Sequence, residues 1–249
     1  MKGLEGRRYL VCGGASGLGE ATAVRLHEEG ARVVIADRNV DAARDLAAAL
    51  GGCDYFGYDQ GDPASISALF DAVSAAGELN GVALVAGVHP GTVPLADVEP
   101  ATFRGVHDVN ALGILLSLQE AARVVAKDDR SSLVVVGSVA GIRPVARNAI
   151  YASSKASAQA ITRSVALELA GTGIRVNSVL PGSAITPLAI SQSSLETIRA
   201  EAERVIPLRR AAEAGEVASA ICFLLSDDAS YVTATDLIVD GGLAAGTAS

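Results

Sequence analysis

Short runs dominated by valine, isoleucine and leucine alternate along the whole chain with longer alanine-rich stretches, and this alternation limits the fold more than any other feature. The runs are RRYLVCG (7–13), ARVVIAD (31–37), CDYFGYD (53–59), GVALVAG (81–87), SSLVVVGS (131–138), GIRVNSVLP (173–181) and TDLIVDG (235–241). Several are apolar at successive positions, as a strand covered on both faces requires, and two-sided burial is the condition of a parallel sheet. Helical patterns fall between them, near 17–29, 40–50, 63–76, 99–126, 150–170 and 213–225, giving repeated strand–helix–strand crossovers. The expected fold is α/β, a doubly wound parallel sheet of seven strands with helices on both faces. No linker or low-complexity stretch divides the chain, so residues 1–249 are expected to form one domain, with the insertion near 186–212 acting as a lid.

The turn after the first run reads VCGGASGLGEA (11–21), with Gly13, Gly17 and Gly19 between strand and helix. Glycines there let the backbone bend sharply and let a pyrophosphate approach the helix N-terminus, where free N–H groups favour anions. The sheet is then of Rossmann type, and its ligand a dinucleotide. Asp37 ends the second run 18 residues after Gly19, close to the offset at which a carboxylate receives the ribose hydroxyls of NAD and repels the 2′-phosphate of NADP. Arg38 follows directly and is the residue able to bind such a phosphate. NAD is the expected cofactor. Asp59, ending the third run, either meets the adenine edge or only caps the turn before Asp62-Pro63.

Tyr151 and Lys155 stand four residues apart at the start of the alanine- and serine-rich helix 150–170 and therefore share one face. Ser138 closes the fifth run and reaches the same carboxyl-terminal rim of the sheet, where open α/β folds bind ligands. A phenol is a poor base at neutral pH; a neighbouring ammonium and an oxidised nicotinamide both favour the phenolate. The pair suits proton exchange with an alcohol oxygen while hydride moves.

Composition narrows the partners. A formal charge of −8 opposes a nucleic-acid surface, and no apolar run reaches the length of a membrane span. Cys12, Cys53 and Cys222 are scattered in apolar stretches, suiting reduced thiols and a cytoplasmic protein better than disulfides, and no metal cluster is read.

Five segments in order, CGGASGLG, VNALG, GSVAG, YASSK and LPGSAITP, resemble the short-chain dehydrogenase/reductase family over essentially the whole chain. The resemblance implies that Tyr151 is the acid/base, that Lys155 binds the nicotinamide ribose and lowers the Tyr151 pKa, that Ser138 holds the substrate oxygen, and that Asn110 holds a water in a proton relay. Thr186 and the backbone near Ala184 would fix the carboxamide. The implied cofactor contacts are Gly13, Ser16, Gly17, Leu18, Gly19, Asp37, Arg38, Asp59, Gln60, Ala86, Gly87, Tyr151, Lys155, Pro181, Gly182, Ala184 and Thr186. Relatives are commonly dimers or tetramers built through the helices near 99–126 and 150–170 and the last strand, so a homo-oligomer is expected, with the tail GGLAAGTAS ordering against another subunit. Two positions depart from the family pattern. Leu84-Val85 stands where asparagines are usual, exchanging polar bracing for apolar packing, and Cys12 replaces a threonine.

The expected substrate is a small alcohol or ketone. Val145, Ile150, Leu188 and Ile190 suggest apolar walls and hence a hydrophobic or cyclic secondary alcohol. Arg143 and Arg147 in the loop before Tyr151 keep open a carboxylated cyclic dihydrodiol. His89 is a weaker candidate for substrate contact. Two competing readings are a non-catalytic dinucleotide sensor, which the full Asn110, Ser138, Tyr151 and Lys155 set opposes, and a carrier-linked β-ketoacyl reductase, which Asp37 and the acidic charge oppose.

Overall fold

The computed structural model describes residues 1–246. Strand β1 (Arg8–Cys12) leads through the glycine turn into α1 (Gly17–Glu28), followed by β2 (Arg32–Asp37), α2 (Val40–Ala49), β3 (Asp54–Gly57), α3 (Pro63–Ala75) and β4 (Gly81–Leu84). Then come α4 (Pro100–His107), a π-helical turn (Asp108–Leu112), α5 (Gly113–Val124), β5 (Ser132–Val136), α6 (Ala149–Leu169) and β6 (Arg175–Pro181). The chain ends with β7 (Ala184–Ile185), α7 (Pro187–Gln192), α8 (Leu195–Val205), β8 (Ala212–Glu213), α9 (Ala214–Leu225) and β9 (Asp236–Val239).

All seven expected runs become parallel neighbours in one sheet, in the order β3-β2-β1-β4-β5-β6-β9. The order reverses between β1 and β4, which opens a crevice beyond their carboxyl ends. Consecutive strand residues explain the unbroken apolar runs. Val11, Ile35, Val134 and Val179 pack with α1, α2 and α9 on one face, whereas their neighbours Leu10, Val34, Leu133 and Val135 pack with α3, α5 and α6 on the other. A fully buried aliphatic side chain contributes about 1.5–3 kcal/mol, and both faces of the sheet draw on it.

The helix expected over 99–126 forms as one run in which α4, the π turn and α5 follow without a gap, and just after the π turn Gly113 passes so close to β3's exit loop that a Cβ on it would stand 2.0 Å from the Gln60 carbonyl oxygen. The extra residue of the π turn rotates Asn110 inward, to 1 % exposure. The segment 186–212 carries α7 and α8. Thr186 and Ser194 cap them, and Ile198, Ala202, Ile206 and Ala211 form a small core of their own. The far end of the tail expected to order against a second subunit, residues 247–249, lies outside the described residues.

Candidate active site

A cleft of about 300 Å³ lies over the β1–β4 crevice, and eleven of the expected cofactor contacts line it: Gly13, Ser16, Gly17, Leu18, Asp37, Arg38, Asp59, Gln60, Ala86, Gly87 and Thr186. Their backbone is shaped for close approach. Gly13 has φ +78°, and a Cβ there would lie 2.6 Å from the Ala86 nitrogen. Gly17 has φ +56° and faces Thr186 and Pro187 across the cleft mouth. Ser16 makes no side-chain cap on α1, and while the Gly19 N–H turns back to Ser16 O, the Gly17 and Leu18 amides stay open to an anion. Gly19 does not line the cleft; it lets α1 pack onto the turn, since a Cβ there would fall 1.9 Å from the Gly13 oxygen.

At the far end, the Asp37 carboxylate accepts the N–H of Ala15 (3.0 Å) and of Asn39 (2.9 Å), which fixes it at the rim beside the glycine turn. Arg38 is exposed next to it. Asp59 braces its turn, Oδ1 accepting the Gly61 N–H at 2.9 Å, and the residue also lines the cleft. Helix α3 is capped by Asp62 instead. Gln60 is a brace as well as a wall. Its Nε2 donates to Ala86 O (3.1 Å) and Val109 O (2.9 Å), and its Oε1 accepts from the buried Tyr58 hydroxyl, which is also bonded to Ser117. Pro181, Gly182 and Ala184 do not line the cleft. Gly182 turns the chain tightly past Asp240, and Thr186, a little further on, is the part of this segment that reaches the cleft.

The inner end is built from α6 against β5. Lys155 is 4 % exposed and donates from Nζ to Val136 O at 2.9 Å. One turn on, Gln159 donates to Ser138 O at 2.7 Å, so Tyr151, Lys155 and Gln159 form one line along the helix, and the last two grip the end of β5. The sequence pattern did not single out Gln159; its signal was the i+8 spacing from Tyr151. Ser138 begins a short turn with its hydroxyl accepting the Ala140 N–H at 3.1 Å. Asn110 accepts the Val88 N–H (2.9 Å) and donates to Val88 O (2.8 Å) and Ser154 Oγ (3.1 Å). These groups meet the cleft at Gly87, where a Cβ would stand 3.2 Å from Lys155 Nζ and 3.3 Å from Asn110 Oδ1.

Burial governs the charges. It lowers the Lys155 ammonium to about 8 and raises the Tyr151 phenol, against which a hydrogen bond from Ser138 pulls downward. The Lys155 nitrogen lies 5.8 Å from the Tyr151 ring centre. The phenolate expected from sequence rests on Lys155 together with an oxidised nicotinamide, and burial of the phenol is the effect that the pair has to overcome. His89 packs on Tyr151 with ring centres 4.3 Å apart, and burial holds its pKa below the usual value. Of the expected substrate walls, Leu188 lines the cleft, Val145 and Ile190 are exposed, and Ile150 is buried at 3 %.

The departures from the family pattern are absorbed as packing. Leu84 is 1 % exposed in the core under α3 and α5, and Val85 packs toward the opposite face while touching the cleft. Cys12 and Cys222 are buried thiols with raised pKa, Cys222 at about 12, and all three cysteines are free.

A dinucleotide cleft joined to a hydroxyl, phenol and ammonium group defines a class of oxidoreductase, and comparison with known proteins agrees. A family model described as enoyl-(acyl carrier protein) reductase matches residues 13–244. The chain is 34% identical to a 2,5-dichloro-2,5-cyclohexadiene-1,4-diol dehydrogenase of Sphingobium indicum, covering 98% of both chains. It is 37% identical to a cis-4-hydroxycyclohexanecarboxylate dehydrogenase of Sinomonas cyclohexanicum, covering 96% of this chain and 97% of that one. The solved structure of a levodione reductase superposes with a TM-score of 0.90 at 33% identity, covering 96% and 98%. The protein belongs to the short-chain dehydrogenase/reductase family, an oxidoreductase family that uses nicotinamide dinucleotides.

Proposed function

We propose that the protein is an NAD-dependent oxidoreductase that interconverts a cyclic secondary alcohol and its ketone. The observation that carries this reading is Gly87, where Lys155 and Asn110 converge on the inner end of a cleft whose outer rim holds Asp37. When bound, a nicotinamide supplies the hydride acceptor or donor. Asp37, already fixed by two backbone N–H groups, favours ribose hydroxyls over a 2′-phosphate, which supports NAD over NADP. The cradle of Gly13 and Gly17 and the open amides of α1 fit the pyrophosphate, and Thr186 fits the carboxamide end.

Ser138 holds the substrate oxygen, and Tyr151 exchanges the proton with it. Lys155 supplies the positive charge that burial of the phenol opposes, and Asn110 fixes the neighbouring Val88 backbone and holds the water of the relay. Residues 1–249 act as one domain, with α7 and α8 as the lid. The exposed apolar residues Phe103 on α4, Leu112 in the π turn, Leu115 on α5, Leu167 on α6 and Ile238 on β9 support a homo-oligomer, dimer or tetramer. The reduced thiols support a cytoplasmic setting. No helix among the described residues is long and apolar enough to cross a membrane.

Both dehydrogenase relatives act, by name, on six-membered rings, and one of those rings bears a carboxylate. That relative, with Arg143 and Arg147 in the loop before Tyr151, keeps a carboxylated cyclic dihydrodiol as the second reading. The test is cofactor reduction followed at the nicotinamide absorbance with cyclic alcohols. Turnover with NAD exceeding that with NADP at least tenfold is expected; an NADP preference would refute the assignment to Asp37.

A further inference from the structure

His89 lies outside the catalytic arrangement described above, yet its ring rests on that of Tyr151 at 4.3 Å and a 45° tilt. The tautomer follows from one bond. Nδ1 accepts the Gly91 N–H at 3.0 Å, and a nitrogen that accepts carries no proton, so the neutral ring bears its hydrogen on Nε2. Burial favours the neutral form, and Asn148 is the side chain that interacts with the ring as an acceptor. Asn148 Oδ1 is itself buried with no partner at hydrogen-bonding distance among the described residues. A buried acceptor left in that state is costly until something donates to it.

The two residues come from loops that are tied together. Val93 N–H donates to Arg147 O at 2.8 Å, joining the segment after β4 to the segment before α6, and Arg147 adopts φ +63° to present that carbonyl. Gly91 in the same segment lies under α7, with Gln192 Oε1 3.3 Å from where a Cβ would stand. His89 and Asn148 thus come from two joined loops next to the Tyr151 ring, with an N–H donor near an unpaired carbonyl acceptor.

A donor next to an acceptor complements a hydroxyl, which accepts from one and donates to the other. It does not suit a carboxylate, which only accepts and would face Asn148 Oδ1 with like charge. We propose that His89 Nε2–H and Asn148 Oδ1 together bind a second hydroxyl of the substrate, so that a cyclic diol is the preferred class. This rests on the alcohol dehydrogenase reading above.

The test compares cyclohexane-1,2-diol and cyclohexane-1,4-diol with cyclohexanol, in the wild type, His89→Phe and Asn148→Ala, by kcat/KM with NAD and by calorimetric binding to the enzyme–NADH complex. Phenylalanine keeps a ring against Tyr151 and removes the donor; alanine removes the acceptor from another loop, and a melting curve checks that each variant folds. The expected result is a wild-type preference for at least one diol that falls about tenfold in both variants, since a site built around a substrate hydroxyl discriminates strongly against its absence. A diol-to-alcohol ratio unchanged in His89→Phe overturns the proposal. Diol-selective binding lost in the variants but without turnover in the wild type would support the His89–Asn148 site and overturn the dehydrogenase reading; neither binding nor turnover would overturn both.

Discussion

Replacing Lys155 by methionine removes an ammonium that the fold buries to 4 % exposure, and it separates the demands of stability from those of chemistry. Burial lowers this lysine from 10.5 to about 8. At about 1.4 kcal/mol per pH unit, carrying the charge inside costs about 3 kcal/mol at neutral pH. The methionine escapes that cost but strands Val136 O, which loses its 2.9 Å bond and gives back about 1–3 kcal/mol. The net change at pH 7 is therefore small, about 0–2 kcal/mol in favour of the variant. The pH dependence is the sharper signal. Between about 8 and 10.5 the unfolded chain holds a proton on Lys155 that the folded chain has released, so wild-type stability rises with pH through that window; below 8 the full cost is present. Urea unfolding of wild type and Lys155→Met at pH 7 and 9.5 is expected to show the wild type gaining about 2 kcal/mol relative to the variant. A difference that stays flat with pH, or a variant destabilised by more than about 3 kcal/mol at pH 7, would refute the claim that this ammonium is held against its solvation.

Other perturbations follow from the same geometry. Gly19→Ala forces a Cβ to 1.9 Å from the Gly13 oxygen, so the β1–α1 turn must open; a loss of several degrees in melting temperature together with weakened dinucleotide binding is expected by thermal scan and titration. Asp37→Ala removes the ribose acceptor and leaves the Ala15 and Asn39 amides without it, and kcat/KM for NAD is expected to fall at least tenfold while the NAD-to-NADP ratio narrows. Arg147→Ala is expected to leave kcat/KM for an uncharged cyclic alcohol within twofold; a loss above about tenfold, roughly 1.4 kcal/mol, would favour a carboxylated substrate.

The sheet was legible in the sequence because two-sided burial writes itself as unbroken apolar runs, and the glycine turn because only glycine tolerates the φ of +78° at Gly13 and the contact made at Gly19. The π turn within 99–126 was not legible, since one extra residue in such a turn hardly alters an apolar pattern, although Gly113 in mid-helix was its trace. The depth of the Tyr151 phenol was not legible either, because residue spacing reveals that a cation is near but not how far the site is buried. The placement of His89 against Tyr151 joins a loop and a helix 62 positions apart in the chain, which no local pattern connects. The double service of Asp59 and Gln60, as wall and as brace, was visible only once their backbone partners were in place.

The most direct test of the central proposal, that Tyr151 exchanges the proton in a hydride transfer, is the rate of NAD reduction by cyclic alcohols in wild type and Tyr151→Phe, with NADH binding measured on both. Loss of the phenol is expected to lower kcat by about 10²–10⁴-fold while NADH affinity stays within a few fold. Equal rates in the two proteins, or NADH binding without any turnover across cyclic alcohols and ketones, would contradict it.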